Sequence, residues 1–263
     1  MARHSRFTLA LSLLMAWLTQ PVLAANTMQY SEQTAERYLH FNWLAKSLLE
    51  PVLQKALQDY HPATDTALAL DYGCGTGIAI PYLKKAGYRV EGVDIEPNML
   101  AAALTAHMDV PFTRITSGKI PRPENTYDLA LASYVIVEIG DRDEIINIFK
   151  DIYRTLKPGG VLVVMGSSDE RHNPDRQWAS KDVDFPENRN RVSGSRVHSR
   201  YSKQDLDFYD YFWSTEDYRD FFTQSGFNLL EHQQPLATDD GRGYWKDELT
   251  IPATSLFVAQ KPY

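Results

Sequence analysis

The chain has 263 residues, 43% hydrophobic and 23% charged, with a formal net charge of −7. That composition excludes a disordered or fibrous chain and suffices for a sizeable globular core. The acidic balance excludes a general nucleic-acid binder, which needs a basic face to offset phosphate, and the single cysteine, Cys74, excludes an intramolecular disulfide.

Met1 to Ala24 differs from the rest. Arg3 and Arg6 precede an apolar run from Phe7 to Leu18, and Val22-Leu23-Ala24 closes it. This is the pattern of a secretory signal, predicting export and cleavage after Ala24. The run is short for a bilayer span, although an uncleaved segment would serve as a membrane anchor. Residues 25–263 then form one domain. Within it, Asn26 to His61 reads as a helical cover (residues 26–62). Tyr30, Tyr38, Phe41, Trp43, Leu44, Leu48, Leu53 and Leu57 recur at three-and-four spacing, with Pro51 at a boundary between two helices and His61-Pro62 ending the segment.

The most informative stretch is Leu68 to Leu83, LALDYGCGTGIAIPYL. An apolar run ends in Asp71, glycines alternate at Gly73, Gly75 and Gly77, and an apolar segment follows with Pro81 near its start. This predicts a buried strand, a tight glycine turn and a helix. Tyr88 to Val93 is a second strand ending in Asp94, seventeen residues after Gly77. A carboxylate there accepts hydrogen bonds from ribose hydroxyls, and it also suits a helix start ahead of Pro97. A dinucleotide fingerprint needs G-x-G-x-x-G; here the third glycine comes one position early.

Glu96 to Met108 predicts a helix with Leu100, Ala103 and Leu104 on one face and His107 as a surface residue complementing its end. Phe112 to Ile115 is a short third strand and Tyr127 to Ser133 a fourth. The loop Tyr134 to Asp141 falls at the carboxyl ends of the strands, where open α/β sheets bind ligands. Ser133, Tyr134 and Glu138 are therefore pocket candidates, with Glu138 equally readable as an exposed loop acid. Asp141 with Glu144 resembles a capping box. Ile145, Ile148, Phe149, Ile152 and Leu156 make a core-facing helical stripe, and Lys157-Pro158-Gly159-Gly160 a type II turn into a fifth strand, Val161 to Met165. Phe227 to Gln233 and Thr254 to Lys261 read as a final antiparallel pair.

Taken in order, DYGCGTG, EGVDIEPNML, YDLALASYVIVEI and LKPGGVLVV resemble the successive motifs of the class I S-adenosylmethionine-dependent methyltransferases over roughly Leu68 to Ser167. The resemblance implies an α/β fold: a Rossmann-like, doubly wound seven-stranded sheet, mostly parallel with an antiparallel C-terminal strand, and helices on both faces. It implies S-adenosyl-L-methionine as cofactor, with Asp71, Gly73, Gly75, Gly77, Asp94, Ile95, Ser117, Ser133 and Tyr134 around it and Ile95 against adenine. Many members carry an acid just after the third strand; here Thr116-Ser117-Gly118-Lys119 offers a hydroxyl or carbonyl instead. The N-terminal aromatic and leucine positions read mostly as core packing; an N-terminal helix often lies over the cofactor in this family, which is the alternative by which Tyr30 or Tyr38 could face the pocket.

Methyl transfer from a sulfonium is an in-line displacement that needs positioning and removal of the acceptor's proton, not a covalent nucleophile. Glu138, His172 and His198 are the candidate bases. Residues 167–213 form a long polar insertion, read as a lid or a solvated face. Its arginines (Arg189, Arg191, Arg196, Arg200) are placed to pair with a carboxylate or phosphate on the acceptor. Tyr209, Tyr211, Phe212 and Trp213 would line an apolar acceptor site or fill core, and rings near Tyr211 could face the sulfonium. Acidity and the absence of a nucleic-acid module favour a small-molecule acceptor. One cysteine and scattered histidines give no metal site. Two rivals stand: a catalytically silent S-adenosylmethionine- or S-adenosylhomocysteine-binding protein on the same fold, and, disfavoured by the glycine spacing, an NAD-dependent oxidoreductase.

Overall fold

The computed structural model describes residues 30–39, 50–60, 64, 66–239, 241 and 243–263. The expected signal (1–24), the aromatic and leucine positions within 41–49 and the His61-Pro62 boundary lie outside the described residues.

Seven strands form one sheet, in the order β3 (Phe112–Arg114), β2 (Arg89–Asp94), β1 (Leu68–Tyr72), β4 (Tyr127–Ser133), β5 (Leu156–Ser167), β9 (Thr254–Gln260) and β8 (Asn228–Gln233). β1 pairs in parallel with β2 and β4, β2 with β3, and β4 with β5, whereas β9 runs antiparallel to both β5 and β8. The expected fold class is what forms. Strand order reverses at β1, which opens a crevice at the carboxyl ends of β1 and β4.

The strands are apolar throughout because both faces are covered. Leu70, Ala130, Leu162, Val164 and Phe257 share one core cluster with the stripe Ile145, Ile148, Phe149 and Ile152 of α5 (Arg142–Thr155) and with Phe221 and Phe222 of α6 (Thr215–Gln224). One residue along each strand, Ala69, Leu129, Leu131, Val163 and Val258 face the opposite cluster. That cluster holds Leu53 and Leu57 of α2 (Glu50–Tyr60) and Ile80 and Leu83 of α3 (Ile80–Lys85). A one-residue slip would exchange these faces, so register is strongly fixed.

Local chemistry sets the element ends. Ser214 and Asp217 close a reciprocal capping box at α6. Asp141 caps α5 through the Asp143 and Glu144 N–H groups, but the expected box is only half formed, because Glu144 accepts from the Ser117 hydroxyl instead (2.6 Å). In α4 (Pro97–Ala106), Leu100 and Ala103 are buried, whereas Leu104 is 50% exposed and does not share their face. Residues 157–160 loop out between Leu156, opposite Tyr127, and Val161, opposite Leu129. Gly159 takes the positive φ (+77°) of the expected type II turn.

The insertion is ordered rather than a bare loop. It carries a hairpin, β6 (Arg196–Tyr201) with β7 (Leu206–Tyr211), standing apart from the main sheet. α1 (Glu32–Tyr38) docks on it: Arg37 reaches the Asp205 carbonyl (2.8 Å), and Tyr30, Ala35, Met99, Tyr201, Leu206 and Phe208 form a small shared core.

Candidate functional site

The glycine turn follows β1 directly. Gly73 and Cys74 both donate to the Val93 carbonyl (2.8 and 3.0 Å), which ties the turn to the end of β2. Gly73 (φ +66°) and Gly75 (φ +52°) adopt the left-handed conformation that favours glycine. A Cβ on Gly73 would run into the Val135 side chain. Gly77 closes the turn through its N–H to the Cys74 carbonyl (2.8 Å) and faces away from the crevice. His107 packs over it, half-buried, so that residue is a packing partner of the turn rather than a solvent-facing charge. Burial, foremost, holds its imidazole below the usual range.

Two cavities meet above this turn. They share Tyr38, Gly73, Gly75, Ser133, Tyr134 and Glu138. One extends past Asp94, Ile95, Met99, Ile115 and Ser117; the other runs under the insertion past Asp71, Cys74, Met165, Arg171, Lys181, Tyr201 and Asp210. Every cofactor residue expected from the sequence except Gly77 lines one or both. Tyr38 lines both and Tyr30 the first, so the N-terminal segment covers the site.

Asp94 is fixed by backbone. Oδ2 accepts from Gly75 N–H (2.8 Å) and Oδ1 from Glu96 N–H (2.9 Å). A carboxylate offers about four lone-pair directions, so roughly half its capacity stays open to the cavity. Asp71 is 2% exposed, and its Oδ2 has no hydrogen-bond partner. Burial, reinforced by Asp94, pushes its carboxyl up to about 7. Glu138 is half-buried on the short 3₁₀ turn Ile136–Glu138, lines both cavities and accepts from the Tyr30 hydroxyl (2.5 Å). Burial raises it to about 8 despite that hydrogen bond. The loop-acid alternative for Glu138 is thereby excluded.

Tyr134 holds φ +58°, an uncommon conformation for a bulky side chain. Its N–H donates to the Met165 carbonyl (2.8 Å), its hydroxyl contacts Thr254 Oγ1 (2.5 Å), and the Arg171 guanidinium lies 4.9 Å from its ring. Such strain persists where the surroundings over-determine it, and it concentrates at functional sites.

The structure redistributes the insertion's expected roles. Arg189 pairs with Asp184, Arg200 with Asp205 and Asp207, Arg191 donates to the Asp169 carbonyl, and Arg196 lies over Tyr209. None of them lines either cavity. His198 is sandwiched between the Phe185 and Tyr209 rings (3.6 and 4.3 Å) with Nε2 on Asp207. His172 is fully buried behind Asp210, and burial drives its imidazole well below the usual range. Neither histidine lines a cavity. Tyr211 packs on Gly140, and Trp213 donates to the Ile139 carbonyl (2.8 Å), so both are core.

Sequence reasoning missed Arg171, Lys181, Tyr201 and Asp210, which the insertion turns inward. It also missed Glu248, whose carboxylate takes the Ala179, Ser180 and Lys246 N–H groups and the Ser180 hydroxyl and so fixes the segment carrying Lys181. Burial alone would raise that carboxyl, but these backbone donors hold it below its usual range. No spacing links residue 248 to residue 180; only the fold does. Among the described residues there is no His/Cys/Asp/Glu group suited to a metal and no helix long and apolar enough to cross a membrane.

Residues 70–164 match the family model described as a methyltransferase domain. The chain is 28% identical over 185 residues to the N-demethylindolmycin N-methyltransferase of Streptomyces griseus, covering 65% of this chain and 74% of that one. It is 34% identical over 112 residues to the ribosomal protein L11 methyltransferase of Campylobacter concisus, covering 42% of this chain but only 38% of that relative's length. The crystal structure of a SAM-dependent methyltransferase from Methanosarcina mazei shares the fold at a TM-score of 0.60 and 18% identity, over 81% of this chain and 98% of that one. Motif order, sheet topology and the match of residues 70–164 converge: this stretch is similar to a methyltransferase domain, and the chain shares the fold of a solved S-adenosylmethionine-dependent methyltransferase.

Proposed function

We propose that the protein binds S-adenosylmethionine across the two joined cavities and transfers its methyl group to a small molecule held under the insertion. One observation carries this reading. A buried carboxylate oxygen with no partner, Asp71 Oδ2, stands beside a glycine turn, while a half-committed carboxylate, Asp94, lines the adjoining cavity. An unpaired buried acid fits a cationic amino group, and the open lone pairs of Asp94 fit ribose hydroxyls. The residues present therefore fit the family's cofactor.

When bound, S-adenosylmethionine supplies an electrophilic methyl group on a cationic sulfur. The chain's own residues do the rest. Asp71 would hold the amino group, Asp94 the ribose, and Ile95 and Ile115 an adenine face, with Ser117 at that edge. Gly73 and Gly75 let backbone approach the ligand where a side chain would not fit. Tyr38, Tyr201 and Phe208, from the N-terminal cover and the hairpin, keep water out. Glu138 would take the proton of a hydroxyl or amine acceptor, since a carboxyl raised to about 8 suits proton transfer near neutral pH. Gly77 lies off the cavities, and the glycine spacing departs from the dinucleotide fingerprint, which argues against NAD.

Calorimetric titration with S-adenosylmethionine, S-adenosylhomocysteine and NAD tests the reading. Binding of the first two and not the third supports it; binding of NAD alone overturns it. Release of S-adenosylhomocysteine with small acceptors then separates an enzyme from a silent binder. Export rests on the sequence of Met1 to Ala24; a mature N-terminus at Ala25 after expression of the full chain supports it, and a retained Met1 on exported protein points to an anchor.

A further inference from the structure

Two cations line the cavity under the insertion without any carboxylate in ion-pair contact among the described residues. Arg171 is 9% exposed; Nη2 donates to the Tyr201 hydroxyl (2.8 Å) and Nε has no partner. Lys181 is 7% exposed, its ammonium lying 5.0 Å from the Trp178 ring and 6.0 Å from the Tyr201 ring. Aromatic faces offset part of a cation's desolvation; the buried Asp210 carboxyl acts on both through space and Glu248 on Lys181, without an ion-pair contact, and burial still holds the Lys181 ammonium well below its usual range. Buried charges are otherwise paired, because an unpaired one costs several kcal/mol.

We propose that Arg171 and Lys181 are the recognition site for an anionic group, a carboxylate or phosphate, on the methyl acceptor. This inference rests on the methyltransferase reading above. Both cations are held in place before any ligand arrives. Arg171 sits in a turn closed by its N–H to the Ser168 carbonyl (3.2 Å), and its side chain is braced by Tyr134 and Tyr201. Lys181 follows Ser180, which Glu248 fixes through two hydrogen bonds. Such preorganisation reduces the ordering cost of binding. The guanidinium fork matches carboxylate and phosphate geometry, and lysine adds a point charge.

The cofactor's own carboxylate is the competing anion. Its amino-acid end enters the same cavity at Asp71, beside the glycine turn, whereas Arg171 and Lys181 are carried by the insertion with Asp210 and Phe208, so the S-adenosylhomocysteine affinity of the variants reads the two anions apart.

The test uses the full chain loaded with S-adenosylhomocysteine and titrated with benzoate, phenyl phosphate and the neutral ester methyl benzoate. Saturable millimolar binding of at least one anion is expected, with the ester at least tenfold weaker. Arg171→Gln and Lys181→Gln should each weaken the anion about tenfold or more while S-adenosylhomocysteine affinity stays within twofold. Equal binding of anion and ester, no binding of either anion, or anion binding indifferent to both substitutions overturns the proposal. Loss of S-adenosylhomocysteine affinity in a folded Arg171→Gln variant also overturns it, by assigning that cation to the cofactor. If the wild-type chain fails to take S-adenosylhomocysteine at all, the methyltransferase reading itself has failed.

Discussion

Replacing Asp94 by alanine removes two functions at once, and the structure allows each to be sized. The first is structural. Gly75 N–H and Glu96 N–H lose their acceptors, at 2.8 and 2.9 Å, in a site where Asp94 is 8% exposed. Hydrogen bonds to a charged group contribute about 1.5–3 kcal/mol each, but water can enter the space left by the carboxylate, so a stability loss of about 1–3 kcal/mol in urea is expected. The second is recognition. The lone pairs not used by backbone are the ones proposed for ribose hydroxyls, and their loss should weaken binding by a further ~1.5–3 kcal/mol, roughly 10- to 150-fold in dissociation constant. Calorimetry with S-adenosylhomocysteine on a variant shown to be folded by circular dichroism reads the second effect separately from the first. A folded Asp94→Ala protein with wild-type affinity would remove Asp94 from the ligand site and refute the ribose assignment.

Other perturbations probe the same site from different sides. Gly73→Ala forces a side chain into the left-handed region, costing about 1–2 kcal/mol, and drives its Cβ onto Val135; at least tenfold weaker S-adenosylhomocysteine binding is expected, and unchanged affinity and stability would contradict the turn's role. The Asp71 carboxyl, held at about 7, is protonated below that pH in the free protein. A cationic amino group favours its ionised form, so affinity should rise between pH 6 and 8 with proton release on binding, and Asp71→Asn should flatten that dependence. A wild-type affinity that falls over this range would mean Asp71 does not meet the cation. Glu248→Ala removes the acceptor of four hydrogen bonds from a residue only 2% exposed. A loss of about 3–5 kcal/mol in urea unfolding is expected, and a loss under about 1 kcal/mol would show that the segment around Lys181 is held by other contacts.

The sheet was legible in the sequence because its signals are local. Apolar runs, alternating glycines, and the Pro-Gly turn at 158–160 each depend on residues close in the chain, and strands β2, β4 and β9 begin and end within a residue or so of the expected limits. The residues around the glycine turn were legible for the same reason: Asp71, Gly73, Gly75, Asp94, Ser133 and Tyr134 sit at strand ends, where topology alone places them together. The insertion was not legible. Its acid-free arginine run suggested anion capture, yet those arginines find partners in Asp184, Asp205 and Asp207 from neighbouring turns, while the inward cations are Arg171 and Lys181, two residues without a distinguishing pattern around them. Which side of a hairpin faces a cavity depends on how α1 clasps it, through Arg37 and Asp205, 168 residues apart. His198, a candidate base in the sequence, is closed between the Phe185 and Tyr209 rings, which no local pattern shows.

The most direct measurement is a crystal structure of the chain with S-adenosylhomocysteine. The ribose is expected on Asp94, the adenine between Ile95 and Ile115 near Ser117, the amino group on Asp71, and an open space bounded by Glu138, Arg171 and Lys181 beyond the sulfur. A ligand whose amino-acid carboxylate lies on Arg171 and Lys181, or one seated outside the two joined cavities, would contradict these assignments.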